Sequence, residues 1–207
     1  CMKIISLLRD KLQFSVITLH YSLFGIYPFM LNDKFKKYIK KQHQTKVISF
    51  HQDEYYYCKE RFELINELNI DTVYTLLDSK YHKEVYKKKS KVNNVINTLT
   101  GYVDDSLIEK SKNSLNKSFH KTIDFGYRAR PLPFFMGKGA QEKTNIAFEF
   151  KNRMKNSNFK LDIKTEEKDR IYGKKWHDFI INCKAMIGVE AGVSIFDLDG
   201  VVKFQCD

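Results

Sequence analysis

The sequence predicts an α/β protein in two units, each a parallel sheet with helices against both faces. Three observations predict it. Short apolar, β-branched runs alternate with longer amphipathic ones along nearly the whole chain, the rhythm that parallel strands and their crossover helices impose. One poorly patterned stretch, "DDSLIEKSKNSLNKS" at 104–118, interrupts that rhythm after four strands and before three more. Two of the chain's three prolines follow it in "RARPLPFF". Such a stretch reads equally as a boundary between units or as a connecting helix, and as a boundary it divides the chain into 1–118 and 119–207. With 207 residues, 43% hydrophobic and 14% aromatic, the chain can bury a core as one large domain or as two small ones.

The first strand is expected at 14–21, "FSVITLHY", and a helix at 32–43, where "DKFKKYIKK" reads as the solvated face of a lysine-rich helix. Strands at 46–51 ("KVISFH"), 71–77 ("DTVYTLL") and 95–101 ("VINTLTG") are apolar and β-branched, with amphipathic helices between them at 57–68 and 80–88. Past the interruption, strands fall at 121–128 ("KTIDFGYR"), 160–164 ("KLDIK") and 185–191 ("AMIGVEA"), and helices at roughly 139–156 and at 174–183. No internal repeat is present.

The formal charge of +11, from 36 Lys and Arg against 25 Asp and Glu, favours an anionic partner: nucleic acid, an anionic lipid surface or a phosphorylated small molecule. The four cysteines form no CxxC pair, and no Cys/His cluster has zinc-like spacing. No metal site and a reduced, cytoplasmic chain are therefore expected. The apolar start "CMKIISLLRDKLQ" is broken at Arg9-Asp10-Lys11, too early for a signal-peptide core or a spanning helix. Cys1 ahead of Met2 and the abrupt end "VVKFQCD" read as the edges of a fragment.

Ligands of open parallel sheets bind beyond the carboxyl ends of the strands. Four polar clusters qualify: His20-Tyr21-Ser22; His51-Gln52-Asp53-Glu54-Tyr55; "DFGYRAR" with the following "GKGAQEK"; and "GVEAGVS". A fifth stretch, "VSIFDLDGVV" at 193–202, has the Asp-x-Asp spacing of a haloacid dehalogenase phosphatase, whose first carboxylate is the nucleophile. That chemistry needs a downstream Ser or Thr, a Lys and a second carboxylate pair. Only seven residues follow Gly200, so Asp197 and Asp199 are read as structural.

Taken in order, "LHYSLF", "FHQDEYYYCKERFELINELNIDTVYTLL", "LTGYV", "DFGYRARPLPFFMGKGAQEK" and "CKAMIGVEAGVSIFDLDG" resemble bacterial GT-B glycosyltransferases of the group 1 type, from surface-polysaccharide gene clusters. The resemblance covers roughly 14–202. It implies two Rossmann-like units, an acceptor-side one at 1–118 and a donor-side one at 119–207 that is incomplete at its C-terminus. It implies a nucleoside-diphosphate sugar as donor, with no separate cofactor, and a glycan or lipid-linked acceptor. Nucleic acid is not an expected partner, whereas peripheral contact with an anionic membrane at the inner face is.

By that resemblance Arg128 and Lys143, with Arg130 third, contact the diphosphate, while Gly137 and Gly139 open the helix beside it. Glu190, with Gly192 and Ser194 in the turn after it, is similar to the family's glutamate-glycine turn. A second acid is expected about eight residues on. Leu198 stands there, flanked by Asp197 and Asp199, and Asp199 is the acid the resemblance offers as partner. A helix N-cap carboxylate is the alternative for Glu190. On the acceptor side Gln52 binds substrate, and His20, Asp53 or Glu54 would serve as base in an inverting enzyme, whereas a retaining one needs none. For His20 the other reading is a hydrogen-bonded histidine at a strand end. Trp176 reads as a core anchor, and His43, His82, His120 and His177 have no evident role. The runner-up function is a basic, non-catalytic module for nucleic acid or an anionic surface.

Overall fold

The computed structural model describes residues 14–99, 101, 104–115, 120–190 and 192–207. The chain divides into two compact units, one of Cys1–Gly101 with Leu198–Val201 and the other of Tyr102–Asp197 with Val202–Asp207. Each holds one all-parallel sheet, an α/β architecture compatible with a Rossmann-like fold. The interrupting stretch carries a helix, α3 (Asp105–Leu115), which belongs to the second unit. The connecting-helix reading therefore fits that stretch, and the division falls before it rather than at 118.

In the first unit β1 (Val16–Leu19), β2 (Lys46–Phe50), β3 (Thr72–Thr75) and β4 (Asn94–Asn97) pair in chain order. Helix α1 (Asp33–Lys40) joins the first two, opened by Asn32, whose side-chain oxygen accepts from Phe35 N–H at 2.9 Å. Helix α2 (Cys58–Glu67) joins the next two. The expected helix at 80–88 is instead a 3-10 turn, Ser79–Tyr81, followed by a π-helical turn, Lys83–Lys87.

Burial across this sheet is one-sided. Leu19, Val47, Ser49, Val73 and Thr75 lie on one face and are buried, whereas on the other Val16, Lys46, Ile48, Phe50, Tyr74 and Ile96 are half-buried or exposed and only Thr72 is buried. Sequential strand order explains the asymmetry, because right-handed crossovers stepping in one direction all fall on one side.

In the second unit β5 (Ile123–Arg128) lies between β6 (Leu161–Lys164) and β7 (Cys183–Met186). Helix α4 (Lys138–Arg153) covers one face, where Tyr127, Ala147 and Ile163 form a core flanked by Ile146, Phe150 and Val189. Helix α5 (Lys174–Asn182) covers the other through Phe179, which abuts Gly126. Here helices do lie on both faces. β7 starts two residues earlier than expected and ends at Met186, because β5 pairs Ile123 with Cys183 and Gly126 with Met186. Of the expected 185–191 strand, residue 191 lies outside the described residues. So does residue 100 of the expected fourth strand. A last helix, α6 (Val201–Cys206), has no counterpart in the sequence reading; Asp197 caps it, accepting from Val202 N–H at 3.2 Å and Lys203 N–H at 2.8 Å.

Candidate functional site

The second sheet reverses direction at β5, since the chain runs from β5 to β6 on one side and then crosses to β7 on the other. In open parallel sheets, such a reversal marks where a crevice forms beyond the carboxyl ends of the strands. A cleft of about 650 Å³ occupies that position, lined by Tyr127–Arg130, Lys143 of α4, 169–173, Trp176 and 186–189. Its ionisable lining is four cations, Arg128, Arg130, Lys143 and Arg170, against one acid, Asp169. Asp169 pairs with Lys164 at 3.4 Å, Arg128 with Asp162 and Arg170 with Glu167, so the positive charge suited to a phosphorylated ligand rests on Arg130 and Lys143.

The three expected diphosphate residues thus converge, yet they differ in what they are free to do. Arg128 is 15% exposed and pairs with Asp162 at 2.8 Å, donates from Nη1 to the carbonyls of Tyr127 and Asp162, and lies 4.2 Å over the Phe179 ring. That guanidinium is tied to the α5 face of the sheet, while its Nε is buried with no partner among the described residues and the side chain still lines the cleft. Arg130 and Lys143 have no ion-pair partner among the described residues. Lys143 is positioned through its backbone, whose carbonyl accepts from the Tyr127 hydroxyl at 2.9 Å. Burial raises the Tyr127 phenol above its ordinary range, which keeps it a donor in that bond.

The glycine pair serves packing. Gly137 caps α4 at φ 84°, and a Cβ there would meet Ser194 Oγ at 2.5 Å. A Cβ on Gly139 would approach the Gly192 carbonyl oxygen to 3.0 Å, and Gly139 N–H donates to Ser194 Oγ at 3.0 Å. The turn of Gly192 and Ser194 therefore lies on the N-terminus of α4 and satisfies one of its free N–H groups. Ser194 acts as a cap, while a Cβ on Gly192 itself would meet nothing within 4 Å. Glu190 is exposed, one residue past the cleft-lining Val189, on irregular backbone rather than at a strand end. Asp199 is paired with Lys89 at 2.8 Å within the first unit, so it is committed to a cation and not to a second acid.

The acceptor-side residues separate sharply. His20 caps the 3-10 turn Tyr21–Phe24, its Nδ1 2.9 Å from Ser22 Oγ and accepting from Ser22 N–H. This is the hydrogen-bonded histidine of the alternative reading. Gln52 is half-buried, and Asp53 is exposed at φ 52°, its carboxylate accepting from the Tyr55 hydroxyl at 3.0 Å. Glu54 is buried, its carboxylate accepting from Thr75 Oγ1, from Leu76 N–H at 3.1 Å and from the Tyr86 hydroxyl. A carboxylate so enclosed holds the loop after β2 onto β3, and it is corrected from candidate base to core residue. Burial, then the neighbouring Glu54, pushes the Tyr86 phenol well above its usual range.

Beside it His51 touches Ser49 Oγ through Nε2 at 3.0 Å and stacks on Phe24 at 4.9 Å, and its Nδ1 is buried with no partner among the described residues. Desolvation, reinforced by Arg61, lowers its pKa to about 3. Arg61 donates to the carbonyls of Tyr56 at 2.8 Å and Phe24 at 3.0 Å.

Sequence reasoning missed Arg170 and Tyr172, and it placed Trp176 in a core although it is half-buried in the cleft wall. The signal was present: "DRIYGKKW" joins β6 to α5, and the carboxyl-end rule applies to that loop as to the others. Among the described residues no group of three His, Cys, Asp or Glu side chains is placed to hold a metal ion, and no helix is long and apolar enough to cross a membrane. No family model, curated protein or solved structure matches this chain.

Proposed function

We propose that this chain belongs to a nucleoside-diphosphate-sugar-dependent glycosyltransferase, with the donor's diphosphate held in the cationic cleft of the second unit. The observation that carries the reading is the convergence of Arg130 and Lys143, both without ion pairs among the described residues, in one cleft at the strand-order reversal. In sugar transfer, negative charge grows on the departing nucleoside diphosphate, and two cations fixed beside it stabilise that charge more in the transition state than in the ground state. Arg128, tied to Asp162, orients the strand end that carries Arg130. The acceptor is a glycan or lipid-linked hydroxyl, which fits a GT-B-like enzyme of surface-polysaccharide synthesis working in the cytoplasm, peripherally at the inner membrane face. With Glu54 enclosed and His20 capping a turn, Asp53 is the one expected base whose carboxylate is exposed.

Calorimetric titration with UDP, GDP, CDP and ADP tests the reading. One of them should bind selectively at moderate salt, and Lys143→Ala or Arg130→Ala should each weaken it by about 1.5–3 kcal/mol, the range for hydrogen bonds to charged groups. Unchanged affinity in both variants would refute the site. Preference for duplex DNA, with affinity falling steeply as salt rises, would favour the non-catalytic basic module.

A further inference from the structure

The cleft of the second unit has a second kind of lining, to which the resemblance assigns nothing. Arg130 and Lys143 carry its unpaired charge, whereas the chain leaving β6 and opening α5 lines it with rings: Tyr172, 63% exposed, and Trp176, half-buried. Met186 and Ile187, where β7 ends, add apolar surface. Gly173 lies between the two rings at φ 54°, a left-handed backbone that costs glycine no Cβ clash, and its carbonyl accepts from Trp176 N–H at 3.0 Å. That turn brings a loop residue and a residue of the first helical turn into one cleft.

Both rings are fixed by neighbours. The Arg170 guanidinium lies 5.0 Å over the Tyr172 ring and is itself paired with Glu167, so one face of that tyrosine is covered by an anchored cation. Trp176 packs on Phe179 at 5.7 Å, and the same Phe179 ring carries the Arg128 guanidinium at 4.2 Å. Through Phe179 the indole is tied to the end of β5. Arg130 follows Arg128 by two residues, about 7 Å at full extension. The aromatic and the cationic lining therefore meet where β5 ends.

We propose that Tyr172 and Trp176 form the platform on which the base of a nucleotide stacks, while Arg130 and Lys143 hold its phosphates. The inference rests on the reading of the cleft as a nucleotide-sugar site, and it names the residues that select a nucleotide over a bare phosphate. A ligand matched to this lining carries an anionic group and a flat apolar one together. Inorganic pyrophosphate has charge alone, and a sugar phosphate has no planar ring. A nucleobase offers its π-face to the indole and the phenol, a contact that draws on ring area rather than on the hydrogen-bonding edge, so it adds affinity whichever base is chosen. The cleft's volume of about 650 Å³ is that of a small-molecule site with room for both ends.

Trp176 is the chain's one tryptophan, so its fluorescence reports on the platform directly. UDP, GDP, CDP and ADP are titrated into the full chain by emission and by calorimetry, beside inorganic pyrophosphate and glucose 1-phosphate. The nucleotide that binds most tightly should quench the emission saturably, at the concentration where calorimetry saturates, and pyrophosphate should bind more weakly and leave the emission unchanged. Tyr172→Ala should weaken that nucleotide by about five- to 100-fold, the loss of one stacking contact, with pyrophosphate affinity as in wild type. Tyr172→Phe, which keeps the ring face, should bind as wild type does. Trp176→Leu should lose as much as Tyr172→Ala; if circular dichroism melting shows that it does not fold, the variants of the exposed Tyr172 carry the test. Lys143→Ala should instead weaken nucleotide and pyrophosphate alike. Nucleotide binding with unquenched emission and unchanged affinity in Tyr172→Ala would overturn the platform and leave the cleft reading standing. Equal quenching by glucose 1-phosphate would overturn the base as its occupant, and failure of all four nucleotides to bind would overturn both readings.

Discussion

His51 makes the first unit sensitive to mild acid, and the size of the effect follows from its surroundings. The ring is buried between Ser49, Phe24 and the Arg61 guanidinium, so folding keeps it neutral and lowers its pKa from 6.5 to about 3. The unfolded chain takes up the proton first. Its contribution to stability is therefore complete above pH 6.5 and is lost as pH falls from 6.5 towards 3. Integrating over one site gives a loss of about 2 kcal/mol between pH 7 and pH 5, changing little for any folded pKa below about 4. The window is clean of the depressed carboxylates. Glu67, held down by its hydrogen bond to Lys40, and Asp124, held down by Lys184, lose their contributions only below the ordinary carboxylate range.

The assay is urea unfolding of wild type and His51→Asn from pH 7.5 to 5, followed by far-UV circular dichroism. The quantity read is the difference in slope of unfolding free energy against pH, so the variant's own loss of stability cancels. A difference approaching about 1.4 kcal/mol per pH unit below 6 is expected. Parallel slopes, or a His51 imidazole proton resonance, identified by its loss in His51→Asn, titrating near pH 6.5 in the folded state, would refute the argument.

Two other substitutions have outcomes fixed by geometry. Gly126→Ala places a methyl 2.3 Å from Cys183 Sγ and 2.8 Å from Phe179 Cζ, and overpacking of that kind should cost about 1–3 kcal/mol; an unchanged melting temperature would count against the packing of α5 on β5. Glu54→Gln replaces an acceptor of three hydrogen bonds with a group that also donates, and should cost about 1–3 kcal/mol in urea unfolding while leaving nucleotide affinity as in wild type; weakened nucleotide binding with full stability would return Glu54 to the site.

Elements were legible where local periodicity and tertiary need agree. All seven strands and most helices lie within a few residues of where alternation of β-branched and amphipathic runs places them. The stretch 79–88 resisted because Tyr81, Val85 and Tyr86 are too few to establish a period; Val85 and Tyr86 are buried while Tyr81 is exposed, and the turn tightens and then widens to seat the buried pair. Roles were less legible than positions. Residues 51–54 are all polar and all follow a strand, yet His51 and Glu54 are buried while Asp53 is exposed. Which of them faces the core is set by partners 21 to 32 residues away, Thr75 and Tyr86, which no local pattern announces.

The same distinction explains why the cleft belongs to the second sheet. Both sheets are parallel and both have polar carboxyl ends, so the strand-end rule alone nominates each equally. Strand order separates them. The first sheet pairs β1 to β4 in chain order and has no reversal point, whereas in the second β7 lies beside β5 and opposite β6, the kind of reversal at which such sheets form a crevice. That placement has a residue-level cause: Gly126, lacking a Cβ, lets the α5–β7 junction at Phe179 and Cys183 close against the middle of β5. Burial of the Cys183 thiol, whose pKa is raised by desolvation, shows how closely that junction packs. One missing methyl group on the central strand therefore lets β7 and α5 close on β5 beside the cleft, which Arg130 enters from the loop leaving β5 and Lys143 from α4.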